Sequence, residues 1–215
     1  MKIATPVLLI ACLVGLTGCL TTSDKVDPKS LWSFSPYFNA SKIERVAIIV
    51  EDASQSSRRW QSDNSYTQIA DNEFTKILLT KGYRISSRAD VDKVMEELDF
   101  QRSGLTDSQT AARLGKMLNV DAILIVSVNS RLTDQPPGYE YYAARGMKGC
   151  ACDISCKMLS VQEAEILGVG SYRDSTNVYG EQNIISGTRR VSRTLAEGIP
   201  SKFSTNNPTS SASLQ

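Results

Sequence analysis

Apolar and polar residues follow one another along the chain in a pattern typical of an α/β domain. The runs Arg45–Val50 and Ala122–Val128 are almost continuously apolar and rich in β-branched residues. Such continuity indicates strands that are buried on both faces. Between them, apolar residues at helical spacing predict a helix that begins at the capping box Ser65–Gln68 and ends at Gly82.

Three shorter elements are predicted between that helix and the second apolar run. Tyr83–Ser86 predicts a strand. The helix after it has an apolar stripe made of Val91, Val94, Met95 and Leu98. A second capping box, Thr106–Gln109, opens another helix, with its inward face formed by Ala111, Leu114 and Leu118.

Strict alternation replaces these patterns after the break at Pro136. One parity is apolar and consists of Cys150, Cys152, Ile154, Cys156 and Met158. The other parity is polar and includes Asp153, Ser155 and Lys157. This alternation predicts a strand with one buried face and one solvent-exposed face. The run Glu165–Tyr172 predicts its hairpin partner, and a final helix is indicated by Ile184, Val191, Leu195 and Ile199.

The element order defines the expected fold class. The order β-α-β-α-α-β-β-β-α predicts an α/β fold with a mixed β-sheet of about five strands and helices packed on it. We expect one periplasmic domain over residues 43–203. Residues 204–215 are polar and of low complexity, and we expect them to be disordered.

The N-terminus has the layout of a bacterial lipoprotein signal peptide. Lys2 precedes an apolar run, and Leu16-Thr17-Gly18-Cys19 resembles the lipobox. The resemblance implies a signal peptide over residues 1–18, cleavage before Cys19, and acyl chains such as palmitate on that cysteine. Leu20 is similar to the sorting signals of outer-membrane lipoproteins. An ordinary secretory peptide with an incidental Cys19, and an uncleaved anchor, are the alternatives.

The residues after Cys19 are expected to form a flexible tether. Residues 19–42 are polar, contain two prolines, and show no period of helix or strand. We therefore expect membrane attachment through the N-terminal lipid, with the domain in the cell envelope facing the periplasm.

Composition narrows the class of function. The chain has 24 basic and 23 acidic residues, for a net charge of +1, so we expect no nucleic-acid partner. It has no histidine, which removes the usual general base near neutral pH and the commonest nitrogen ligand of metals. We expect neither catalytic residues nor a metal or other cofactor, and hence no enzyme.

Two segments are candidates for partner contact. A loop after the first buried strand is polar but carries Arg and Trp, which are enriched at interface hot spots: Arg58, Arg59 and Trp60. A second segment holds three aromatic side chains with polar tips: Tyr139, Tyr141 and Tyr142. Loops without a partner are the alternative at both places.

Three cysteines within GCACDISC raise the question of a metal site or a disulfide. The C-x-C-x3-C spacing lacks the C-x2-C turn of many zinc and cluster sites. An exported domain permits a disulfide, but residues i and i+2 of one strand lie at the edge of bridgeable distance. Since Cys150, Cys152 and Cys156 share the apolar parity, packing in the core is the preferred interpretation, with a disulfide and a metal as alternatives.

Longer segments resemble the periplasmic domain of CsgG-like lipoproteins, the family of the curli secretion channel. The resemblance covers residues 43–172 and is most specific at Ser87–Glu97, Ser103–Asp107 and Leu114–Lys116, with Val120-Asp121-Ala122 after them. It implies a non-catalytic envelope assembly or interaction module that binds other envelope proteins or copies of itself. The same layout is similar to the lipoproteins that activate penicillin-binding proteins, which is one alternative function. A metal or redox protein built on the three cysteines is the other alternative.

The channel activity of that family needs membrane strands, and the sequence offers few. Residues 129–149 contain a proline pair, and residues 173–183 are almost wholly polar. A spanning strand needs roughly 9–11 residues with alternating apolar positions. We therefore expect a periplasmic domain without its own transmembrane barrel.

Overall fold

The computed structural model describes residues 26–53, 65–97, 108–133, 149–176 and 181–203. In these ranges the chain forms a single mixed sheet of six strands with four helices packed on it, which confirms the predicted α/β class. The strands are β1 (Trp32–Phe34), β2 (Arg45–Asp52), β3 (Arg84–Ile85), β4 (Ala122–Thr133), β5 (Gly149–Ser160) and β6 (Ile166–Thr176). The helices are α1 (Ser65–Thr80), α2 (Arg88–Glu97), α3 (Ser108–Leu118) and α4 (Glu181–Gly198).

The sheet combines a parallel half with an antiparallel half. Its strand order is β1-β6-β5-β4-β2-β3. Strand β2 pairs in parallel with β3 and β4, whereas β4, β5, β6 and β1 pair in antiparallel fashion. None of the helices in the described ranges is long and apolar enough to cross a membrane.

Helices cover the two faces of the sheet unequally. On the first face, α1 and α4 pack on a large core that includes Phe74, Leu124, Ile154, Met158 and Leu195. On the second face, α2 and α3 pack on a smaller core that draws its strand residues from β2, β4 and the end of β5. The segments Val46–Val50 of β2 and Ala122–Val126 of β4 are thus continuously apolar because they are buried from both sides.

The β5–β6 hairpin is longer than its apolar pattern indicated. Strand β6 was predicted to end at Tyr172, yet pairing continues to Thr176, opposite Cys150. Within the extension, Arg173 forms an ion pair with Asp153 across the strands, and Asp174 forms one with Arg190 of α4. Backbone pairing and these ion pairs continue β6 beyond the end of its apolar pattern.

The N-terminal segment predicted to be a tether is in part a structured element, which corrects the expected boundaries at residues 42 and 43. Residues Pro28–Leu31 and Ala40–Lys42 form 3-10 turns, and β1 between them pairs with β6. Three aromatic side chains fix the segment. Trp32 stacks on Phe34 with ring centroids 5.2 Å apart, and Phe34 contacts Phe38 at 4.5 Å.

Glycines provide the space that Trp32 occupies. A Cβ on Gly170 would lie 2.6 Å from a ring carbon of Trp32, and one on Gly198 would lie 2.5 Å from another. The indole Nε1–H donates to the backbone oxygen of Leu195, at 2.8 Å. The ring therefore joins the edge of the sheet to the C-terminal end of α4.

Asp121 connects the three central strands at their common end. Its Oδ2 accepts the backbone N–H groups of Glu44 and Arg45, each at 2.8 Å. Its own backbone N–H donates to the oxygen of Arg45 at 2.9 Å, and its backbone oxygen accepts from Val161 at 3.0 Å. One residue thus fixes the register of β2, β4 and the end of β5.

We expect Asp121→Ala to lower the free energy of unfolding by about 2 kcal/mol, because two hydrogen bonds to a carboxylate are lost. Urea denaturation of the lipid-free chain followed by circular dichroism measures the change. Asp153→Ala removes the same carboxylate from an exposed ion pair and is expected to cost less than about 1 kcal/mol. Equal losses in the two variants would contradict the role given to Asp121.

Candidate interaction surface

The second face of the sheet has an open groove beside the part that α2 and α3 cover. The groove has a volume of about 540 Å³ and crosses β1, β6, β5, β4 and β2. Its floor is formed by the strand side chains that point to this second face, together with neighbouring backbone atoms. The side chains that matter most for its chemistry are Ser33, Glu51, Ser127, Ser155, Lys157, Val169 and Ser171.

Four of these side chains form a single row across the sheet. The pairing register aligns Glu51 with Ser127, Ser127 with Ser155, and Ser155 with Ser171. Neighbouring strands are about 4.8 Å apart, so the row spans roughly 14 Å. Ser127 donates its hydroxyl proton to Glu51 Oε1, which orients the carboxylate along the row. We call Glu51, Ser127, Ser155 and Ser171 the hydroxyl row.

The adjacent row gives the groove a basic group and an apolar wall. Here the register aligns Ile125 with Lys157, Lys157 with Val169, and Val169 with Ser33. Lys157 is half-buried and lines the groove between its two apolar neighbours, where its side chain adds a basic group beside the hydroxyl row. Val169 remains 43% exposed.

The arrangement suits binding by many hydrogen bonds. Its lining includes five serines, Ser30 among them, with one carboxylate and one ammonium group over an extended surface. Serine hydroxyls both donate and accept, and the two charges have opposite sign. A surface of this composition resembles the polar part of a protein interface more than a closed ligand pocket.

The solvent-exposed face of β5 was predicted from the alternation of its residues. Most of the other residues of the groove were not predicted. Asp153, Ser155 and Lys157 lie on the polar side of β5 as expected. Glu51 was assigned to a loop, and the structure extends β2 through it because it pairs with Ser127. Ser171 and Ser33 belong to other strands and to adjacent rows, so only the pairing register brings them into the same groove.

The predicted partner residues lie outside the described part of the chain. This holds for both loop segments and for the candidate lipidation site, namely Arg58, Arg59, Trp60, Tyr139, Tyr141, Tyr142 and Cys19. They stay predictions.

The three cysteines of β5 lie on the opposite face, in the core beneath α4. Cys150, Cys152 and Cys156 are buried, and none forms a disulfide. Within the described ranges, no group of three or more thiol, carboxylate or imidazole side chains is placed to hold a metal ion. The disulfide considered for this strand is therefore not formed in the structure.

The thiols form part of the contact between β5 and α4. The Sγ of Cys152 lies 3.7 Å from the backbone oxygen of Ile184 and 3.8 Å from the Oγ1 of Thr188. A Cβ on Gly187 would lie 2.8 Å from that sulfur, so glycine permits the close approach of the helix. Burial raises the pKa of the Cys152 thiol, and it also raises the pKa of Cys156.

A pair of buried hydroxyls accompanies Cys152. Ser130 Oγ and Thr188 Oγ1 are hydrogen-bonded at 2.8 Å, and both residues are buried. A satisfied polar pair inside an apolar contact favours one docking position of α4 over its alternatives. The sequence signal for it was weak, because one partner lies in the outer part of β4 and the other in a helix.

The sequence matches no protein-family model and no curated protein. Among solved structures, the PelC dodecamer of Paraburkholderia phytofirmans aligns with a TM-score of 0.46 and 10% identity, covering 79% of this chain and 96% of that chain. Lipoprotein GNA1162 from Neisseria meningitidis aligns with a TM-score of 0.48 and 13% identity, covering 72% and 99%. The LpoB C-terminal domain from Escherichia coli aligns with a TM-score of 0.40 and 14% identity, covering 62% and 83%.

Likenesses at this level assign the chain to no family. The resemblance to CsgG-like proteins therefore stays a prediction.

The position of the thiols predicts their reactivity. At pH 8, we expect Cys152 and Cys156 in the native protein to react with iodoacetamide at less than roughly a tenth of the rate measured in urea, because burial both shields the sulfur and disfavours the thiolate. Peptide mass spectrometry assigns the label to each cysteine. Rapid native labelling at these positions would show that α4 does not hold β5 as described.

Proposed function

We propose that the chain is a lipid-anchored, non-catalytic interaction module of the bacterial cell envelope. It is exported, attached to the outer membrane through Cys19, and faces the periplasm, where its groove binds another envelope protein or a second copy of itself. The observation that carries the proposal is the hydroxyl row, with Lys157 and Val169 beside it, in an open groove of about 540 Å³.

The geometry of the groove supports a polypeptide ligand. The row is about 14 Å long, which matches roughly four residues of an extended segment. Its hydroxyls can pair with backbone N–H and C=O groups, and the exposed side chain of Val169 offers apolar area next to them. Interfaces between proteins combine polar groups and apolar area in this way.

The chemistry of the row supports binding rather than turnover. Ser127 contacts a carboxylate and not an imidazole, and the chain has no histidine to act as a base. A nucleophilic serine needs an activating base within hydrogen-bonding distance, and a carboxylate is a much weaker base than the imidazole that usually serves this role.

The anchor part of the proposal depends on Cys19. In a bacterial host grown with an alkyne analogue of palmitate, we expect the chain to be labelled and to float with the outer-membrane fraction. Cys19→Ser is expected to abolish both, whereas Cys12→Ser, within the signal peptide, is expected to leave both unchanged. Unchanged labelling of Cys19→Ser would contradict the anchor.

The binding part depends on the groove. A photoreactive amino acid at Ser155 or Ser171 is expected to crosslink to a second copy of the chain or to one envelope protein identified by mass spectrometry. The same amino acid at Lys76, exposed on α1, is the control and is expected to give no such product.

A large side chain that fills the groove provides the second half of this test. Ser155→Arg is expected to reduce crosslinking from Ser171 by about tenfold while leaving the circular dichroism spectrum unchanged. A penicillin-binding protein in the crosslink would select the activator function, and a second copy would select self-assembly. Equal crosslinking from groove and control positions would show that the groove is not the binding surface.

A further inference from the structure

The fixed start of the domain limits how far it can move from its anchor. The fold begins at Asp27, whose carboxylate accepts the N–H of Lys29 at 3.0 Å and whose backbone oxygen accepts from Ser30 at 3.1 Å. Five residues later, Trp32 is buried and hydrogen-bonded to Leu195. Only residues 20–26 therefore lie between the candidate lipid-bearing Cys19 and the start of the fold at Asp27.

This linker is shorter than the domain is wide. Fully extended, the chain from Cys19 to Asp27 spans at most about 28 Å. A domain of roughly 180 residues has a radius of gyration near 16 Å, which corresponds to a diameter of about 40 Å. The side of the domain opposite Asp27 is therefore too far from its own anchor to reach the bilayer, whereas the side that carries Asp27 is held next to it.

The side that carries Asp27 also contains the C-terminal ends of α1 and α4. The Nζ of Lys81, just after α1, donates to the backbone oxygen of Glu197 at 2.8 Å. The backbone N–H of Lys202 donates to the oxygen of Lys81 at 3.0 Å. The charge of Lys29 is close enough to act on the ammonium group of Lys81, as is that of Glu197.

Apolar side chains are exposed at the same place. Phe203 is 74% exposed, and its ring lies against Gly82, where a Cβ would come within 2.3 Å of it. Leu79 is 54% exposed, and its backbone oxygen accepts from Gly82 at 3.1 Å. Val26, the residue before the fold begins, is 40% exposed. We call Val26, Lys29, Leu79, Lys202 and Phe203 the anchor face.

We propose that the anchor face is a membrane contact surface, on which Phe203 enters the interfacial layer and Lys29 and Lys202 approach anionic lipid headgroups. This inference rests on the proposed lipid anchor at Cys19. Aromatic rings partition to the bilayer interface, and lysines near an anionic surface add attraction that salt screens. Lys29, Lys81 and Lys202 outnumber the neighbouring acids, Asp27 and Glu197.

The first experiment locates the anchor face in the lipidated protein. Phe203→Cys and, as control, Gln109→Cys at the far end of α3 are labelled with an environment-sensitive fluorophore and reconstituted in vesicles that contain anionic lipid. We expect a quencher carried on the acyl chains to quench the label at position 203 at least about threefold more than the label at position 109. Equal quenching at the two positions would overturn the proposal, whereas a chain that is never lipidated and does not float with vesicles would overturn the anchor itself.

The second experiment tests the surface without the anchor. Mature chain carrying Cys19→Ser is expected to bind vesicles of anionic lipid weakly, to bind neutral vesicles less, and to dissociate in high salt. Lys202→Gln is expected to reduce binding about fivefold, and Phe203→Ser is expected to reduce it further, whereas Lys76→Gln on α1 is the matched control. Binding that neither Lys202→Gln nor Phe203→Ser weakens would overturn the contact surface even where lipidation at Cys19 is established. A protein crosslinked from position 203, without quenching by lipid, would assign the face to a protein partner instead and would also overturn the proposal.

Discussion

The burial of β2 and β4 from both sides is the constraint on which the rest of the structure depends. The segments Val46–Val50 and Ala122–Val126 are apolar on each face, so each face needs helices there. Helices α1 and α4 cover the first face, while α2 and α3 cover the second face over β2, β4 and the end of β5 only. The hydroxyl row lies where this second layer ends, and its serines are tolerated there because no apolar layer of the described residues packs on them.

The parts of the fold that the sequence predicts well are those with local patterns. Continuous apolar runs identified β2 and β4, and capping boxes with apolar stripes identified α1 and α3. Strand β1 was missed because its three residues, Trp32–Phe34, are too few to show a period, and its stability comes from contacts with Gly168, Gly170 and Gly198 far along the chain. Packing against residues so far along the chain cannot be predicted from the pattern of the segment itself.

The groove and the cysteines show the same contrast. Parity alone placed Cys152 and Cys156 on the apolar side of β5, since alternation in a strand is a local property. The hydroxyl row depends on the register of four strands, two of which are joined by the crossover through α1, α2 and α3. The serines can be identified in each strand from the sequence, but the pattern of one strand does not predict how they align across the sheet.

The attachment of Trp32 has a mechanical consequence. Ser30 and Leu31, which line the groove, directly precede the strand and the ring that join the N-terminal segment to β6 and α4. Tension between the bilayer and a protein held in the groove would therefore run along β1 and be borne by its ladder with β6 and by the indole hydrogen bond. With the proposed anchor and the proposed partner in place, the force at which the three-residue β1 separates from β6 would limit the load that the domain could transmit between them.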